Sequence, residues 1–262
     1  MPVGVAPSPS RLCVDSPRRP RCATHGPPTR RQHRPSRTHV ESVPLVACAD
    51  ATTVTSCVED CGEAKQATLI ATMVPYVATV QHVTARDLPY SWHRGCPVGP
   101  AQLRRIRLRY VGFDGRAHTG RLVVNERVVP QVIEAFRLLY AARFPIRRMR
   151  PIDVYRGSDD RSAAADNTSG FNCRKAVAAG PTSWSMHAYG EAIDVNDVEN
   201  PYIEGGRVIP PAGKAYVNRA RIRPGMAVAG RVLVDAFARV GWGWGGNFAG
   251  TPDYQHFSVN GR

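Results

Sequence analysis

The side chains best suited to chemistry fall in two short clusters. The first runs Ser185-Met186-His187-Ala188-Tyr189-Gly190-Glu191-Ala192-Ile193-Asp194-Val195, and the second is Asp253-Tyr254-Gln255-His256-Phe257. Two imidazoles and one carboxylate are a normal donor set for catalytic zinc, with the fourth position left to water. Spacing limits how such a set can form. Seven residues of straight strand would separate His187 from Asp194 by roughly 23 Å, and of helix by roughly 10 Å, both too far for one ion. The chain must therefore double back between them, and Gly190 stands near the middle, where a reversal needs a residue free of side-chain clash. The other histidines (His25, His33, His39, His82, His93 and His118) have no comparable acid-and-glycine context.

Taken together, S-x-H-x-x-G-x-A-x-D, followed downstream by an acid, two residues and H-F, resembles the VanY-type D-alanyl-D-alanine carboxypeptidases and the related phage L-alanyl-D-glutamate endolysins. The resemblance covers about residues 88–262, including Gly-Trp-Gly-Trp-Gly-Gly at 241–246 and Asn-Cys-Arg at 172–174. It implies a zinc ion held by His187, Asp194 and His256. Asp253, three residues before the last ligand, then stands where the family has its catalytic carboxylate, a position that is Glu in many relatives. For the arginine that steadies the substrate, Arg174 is the first choice, with Arg161 and Arg156 as rivals. Ser185, Trp242 and Trp244 are candidates for the substrate groove, although both tryptophans would equally suit a core.

The resemblance further implies a metallopeptidase fold of the D-Ala-D-Ala carboxypeptidase/hedgehog-like type, a peptidoglycan stem peptide as substrate, a monomer, and an extracellular or cell-wall location. Cleavage of the terminal D-alanyl-D-alanine bond is the leading expectation. An L-alanyl-D-glutamate endopeptidase and a non-catalytic, zinc-stabilised wall-binding module are the alternatives; the acid at 253, which a binding module would not need, favours an enzyme.

The elements that must position these groups are readable from periodicity. Arg105 to Val111 alternates arginine with Ile106, Leu108 and Tyr110, the pattern of a half-buried strand. Phe113-Asp114-Gly115 is a turn, and Leu122 to Val124 return as a second strand. After Pro130, Val132, Ile133, Phe136, Leu139 and Tyr140 recur at helical spacing, and Pro145 limits that helix. Short strands are expected at 151–155, 169–174 and 192–196, an ordered loop at 157–170, a second helix at 228–240, and a strand-like end after a Gly- and Trp-rich stretch at 241–258. Without regular strand–helix alternation, this is an α+β domain with a small antiparallel sheet and flanking helices.

Residues 1–65 read as a disordered Arg- and Pro-rich segment, 66–87 as a linker or the start of the domain, and 88–262 as the peptidase domain. The first segment is too poor in apolar residues to build a core. Formal net charge is +14, but residues 1–40 carry eight arginines against the single Asp15. That segment interleaves no aromatic residue with its arginines for base stacking, so no nucleic-acid partner is expected. No run of eighteen apolar residues occurs, which argues against a membrane-spanning helix, and no signal peptide is recognisable near Met1. Five of the seven cysteines precede residue 65 at spacings that match no zinc ribbon or finger. Cys96 and Cys173 lie in the folded part and suit a disulfide if the protein is exported.

Overall fold

The computed structural model describes residues 74–177 and 183–261. The disordered segment expected at 1–65 lies outside the described residues. All strand ladders are antiparallel. The first sheet has the order β1 (Ala78–His82), β2 (Leu103–Val111), β3 (Ala117–Asn125). β2 and β3 form a nine-residue hairpin in which Ile106 faces Leu122 and Leu108 faces Gly120. The alternation seen in the sequence thus puts Ile106, Leu108, Leu122 and Val124 on one buried face. β1 pairs with β2 from Ala78↔Leu108 to His82↔Arg104, so the folded region already includes part of the stretch read as linker or domain start.

The second sheet holds the short strands β4 (Ala192–Asp194), β7 (Gly243–Trp244) and β8 (His256–Ser258), in the order β4-β8-β7. A two-stranded hairpin, β5 (Tyr202–Glu204) and β6 (Arg207–Ile209), stands apart. Two helices pack between the first two sheets: α1 (Val129–Ala141) buries Val132, Ala135, Phe136 and Leu139, and α4 (Val232–Arg239) buries Leu233, Ala236 and Phe237. Phe237 is the hub of this core. Its ring stacks on Phe257 of β8 at 4.3 Å between centroids, meets Phe136 of α1 edge-on at 6.0 Å, and lies 5.6 Å from Trp242.

Several local expectations are corrected. Residues 151–155 are a 3-10 turn (Ile152–Tyr155), because the Asp153 carboxylate accepts from the Tyr90 and Ser91 N–H groups and the Ser91 hydroxyl, while Val154 points to solvent. The loop at 157–170 contains a short helix, α2 (Asp159–Ala164), capped by Ser158, whose hydroxyl accepts from the Arg161 N–H. The second long helix begins at Val232 rather than 228, after Gly230 in the left-handed region at φ 66°.

Residues 169–174 are extended but form no regular strand, because their N–H groups serve several partners. Ser169 exchanges both backbone bonds with Asp194 of β4, Phe171 donates to Val123 of β3, and Cys173 donates to Ser91. The segment therefore stitches one sheet to the other. Cys173 is joined to Cys96 by a disulfide, the pairing expected from the sequence. Among the described residues no helix is long and apolar enough to cross a membrane.

Removing the Phe237 ring would leave a cavity among Phe136, Trp242 and Phe257. Phe237→Ala is expected to lower unfolding stability by about 3–5 kcal/mol in a denaturant titration. A loss below about 1 kcal/mol would show that this ring does not hold the two sheets together.

Candidate metal centre

The three expected ligands come from three backbone devices. His187 lies on α3 (Met186–Tyr189), a single turn that starts at Ser185, whose hydroxyl accepts from the His187 N–H, and ends at Gly190 in the left-handed conformation at φ 70°. Gly190 is required there twice over. Its φ is strained for a side chain, and a Cβ would sit 2.6 Å from the Asn125 backbone nitrogen of β3. The reversal delivers the chain into β4, and the β4–β8 register sets Asp194 directly across from His256. Side chains of directly opposed residues share one face of the sheet.

The donor atoms converge. The His187 Nε2 is 3.1 Å from Asp194 Oδ2 and 3.2 Å from His256 Nδ1, and His256 Nδ1 is 3.3 Å from Asp194 Oδ1. All three residues are buried. At His187 the geometry also fixes the tautomer. Its Nδ1 lies 2.7 Å from the Gly170 carbonyl, which can only accept, so Nδ1 carries a proton and Nε2 is the ring atom turned to the cluster. Burial alone would raise the Asp194 carboxyl, but the two imidazoles outweigh it and hold the group well below the usual carboxylate range. A carboxylate that stays ionised while buried is what a cation site needs. Two imidazole nitrogens and a buried carboxylate are donor types that zinc takes, and one such atom from each residue lies within 4.8 Å of the others. The residues present therefore fit a zinc ion.

Asp253 precedes β8 and belongs to the same neighbourhood. Its backbone is fixed by donation to the Gly245 carbonyl and by acceptance from the His256 N–H, and Gly245 has no room for a Cβ against Asp253. Its Oδ1 is buried without a hydrogen-bond partner. Burial, reinforced by Asp194, pushes the carboxyl up to about 6 against the opposing pull of His256, His187 and Arg174. An acid poised near neutrality beside a metal-type donor set suits proton transfer.

Of the three arginine candidates, Arg174 is the one whose charge Asp253 senses. Its Nε pairs with Asp159 Oδ2, and Asp159 Oδ1 accepts from the Asn172 side-chain amide at 2.7 Å. Arg156 and Arg161 are exposed. Of the two readings open for Trp242 and Trp244, the structure favours packing: both are buried in the main core, and Trp244 Nε1 donates to the Tyr254 carbonyl at 2.9 Å. Ser185 acts as the cap of α3, and its backbone N–H donates to the Arg174 carbonyl.

Sequence reasoning missed the supporting residues: Asp159, which holds Arg174; the Gly170 carbonyl, which orients His187; and Asn125, whose amide donates to the Tyr189 carbonyl and whose N–H donates to the Gly190 carbonyl. The Ser158-Asp159-Asp160 run is a helix-start signal that could have placed Asp159 at a helix N-terminus, but not beside Arg174.

Residues 179–259 match the family model for D-alanyl-D-alanine carboxypeptidase. This is the resemblance read from the motifs, and the span contains His187, Asp194, Asp253 and His256 but not Arg174. The match supports a peptidase, and the family is one of metallopeptidases. No curated protein and no solved structure matches the chain.

Beyond the carboxypeptidase-like centre lies a second set of buried acids. Asp197 is raised well above the usual carboxylate range by burial and by Asp194, and its Oδ1 has no hydrogen-bond partner. Glu199 is pushed up to about 7 by burial and by the neighbouring Asp166, although Arg147 bridges both acids. A carboxyl raised in this way favours the folded state below pH 4.5, and that contribution disappears as pH rises through 7. From 4.5 to about 7 the loss amounts to at most ~3 kcal/mol. Glu199→Gln keeps the hydrogen bonds without the charge. Denaturant midpoints in chelator at pH 5 and pH 7.5 should show a smaller decline for the variant than for the parent protein; equal declines would mean that Glu199 titrates normally.

Proposed function

We propose that the protein is a zinc-dependent D,D-carboxypeptidase that removes the terminal D-alanine from peptidoglycan stem peptides. The observation that carries this reading is the buried triangle of His187 Nε2, Asp194 and His256 Nδ1 beside the unpartnered Asp253 Oδ1, within a stretch matching D-alanyl-D-alanine carboxypeptidase. Zinc held by these three side chains would supply a water acidified toward neutrality and a Lewis acid for the scissile carbonyl.

The remaining roles fall to the chain's own groups. The Asp253 carboxylate takes the proton of the attacking water on Oδ1 and returns it to the leaving amine. The Gly170 carbonyl holds His187 in its ligating tautomer. Arg174 provides a planar guanidinium for the C-terminal carboxylate of the substrate: Nε pairs with Asp159 and Nη1 donates to the Lys175 carbonyl, which leaves Nη2 to lead that pairing. The Cys96–Cys173 disulfide, one residue from Arg174, suits an enzyme that works outside the cell.

Two variants at position 253 test the assignment, with a synthetic stem pentapeptide as substrate and mass spectrometry of the products. Asp253→Asn should keep the metal and lose about 10²- to 10⁴-fold in turnover, whereas Asp253→Glu, which restores an acid, should recover a substantial part of it. The expected product is the peptide shortened by one D-alanine. An Asn variant with full activity would remove Asp253 from the chemistry, and internal cleavage of the peptide would replace the carboxypeptidase reading with an endopeptidase one.

A further inference from the structure

Sharing no lining residue with the buried triangle, a groove of about 760 Å³ opens between the β2–β3 hairpin and residues 147–154. It is lined by Arg121, Arg147, Arg148 and Arg150 together with Tyr110 and His118, and no acidic residue lines it. Arg147 is committed to Asp166 and Glu199. Among the described residues Arg121, Arg148 and Arg150 have no carboxylate partner. Three uncompensated cations in one concavity repel each other and gain most from an anion.

The backbone that presents them is fixed from both sides. Met149 is buried, with its side chain filling the space that a Cβ at Gly120 would need. Its carbonyl accepts from the Arg121 N–H at 3.1 Å, Thr168 donates to the Arg148 carbonyl at 3.0 Å, and the Arg150 N–H donates to Asn167 Oδ1 at 3.1 Å. With Met149 turned inward, Arg148 and Arg150 emerge on the same outer side. Two residues of extended chain set their Cα atoms ~6.6 Å apart, close enough for the two guanidinium groups to engage neighbouring anionic groups of one linear polymer.

We propose that this groove binds a phosphodiester-linked polyol chain, with the guanidinium groups of Arg121, Arg148 and Arg150 on successive phosphates. Guanidinium forks match phosphate oxygens in pairs. A nucleic acid would need ring faces for its bases, and the two rings here are spent on each other: Tyr110 stacks on His118 at 5.5 Å and 25°, and Asp114 holds the His118 ring. The inference does not rest on the peptidase reading, since no residue of the buried triangle takes part.

The test uses the full-length chain, so that the Arg-rich segment before residue 40 contributes equally to every variant. Labelled poly(glycerol phosphate) is titrated at several salt concentrations, with single-stranded DNA and polygalacturonate of similar length as comparators. The double variant Arg148→Ala/Arg150→Ala should weaken poly(glycerol phosphate) binding at least tenfold and lower the log–log salt slope by about 1–2. Arg221→Ala, which removes an exposed arginine elsewhere, should change affinity less than twofold. Melting curves check folding, and if the alanine pair unfolds, Arg148→Lys/Arg150→Lys keeps the charge without the fork and should still bind more weakly. Unchanged affinity in the groove variants, or an equal loss in Arg221→Ala, would overturn the site. DNA or polygalacturonate that binds as tightly and loses as much would overturn the ligand.

Discussion

Everything at the buried centre depends on one register, the pairing of β4 with β8 that sets Asp194 opposite His256. These residues are 62 positions apart, and no local feature brings them together. A slip of one residue would turn either side chain to the other face of the sheet and dissolve the donor set. The register is held by the same strands that carry the core: Ile193 and Phe257, the pair next to Asp194 and His256, are fully buried, and Phe257 stacks on Phe237. Apolar packing on one side of these three-residue strands thereby fixes the geometry of the polar cluster on the other.

The second constraint is the stitch at 169–174. In six residues it exchanges bonds with Asp194, accepts from the His187 ring at Gly170, donates to β3 at Phe171, and carries Arg174 toward Asp253. Asn172 completes the arrangement: its N–H donates to the His187 carbonyl, its side-chain amide to Asp159, and its own carbonyl accepts from the Arg174 N–H. A segment with so many separate obligations cannot also be a regular strand. The disulfide at Cys173 anchors it to the loop that holds Cys96, and in the chain-entropy model closure over a separation of 77 residues stabilises by roughly 4 kcal/mol.

What could be read in advance follows from how local each cause is. The β2–β3 hairpin and α1 were legible because alternation and 3.6-residue periodicity are imposed by burial along the element itself. The reversal at Gly190 was legible for a similar reason, since distance alone forbids His187 and Asp194 from sharing an ion unless the chain turns. Residues 151–155 misled because Ile152 and Val154 resemble a buried strand, whereas the conformation is set by Asp153 gripping N–H groups some 62 residues earlier. The tryptophans of 241–246 stayed ambiguous for another reason: a Gly-Trp-Gly-Trp run does not say which way its rings point, and the core took both. The Asp159–Arg174 pairing has no signature in sequence spacing at all, because it depends on how α2 lies against the stitch.

We propose that three side chains, brought together by one strand register and one glycine reversal, hold a single zinc ion. Metal analysis of purified protein, with equilibrium dialysis against zinc, tests it most directly. One zinc per chain is expected in the parent protein, with loss of that ion in each of His187→Ala, Asp194→Ala and His256→Ala and the fold retained. Full zinc occupancy in any one of the three would contradict it.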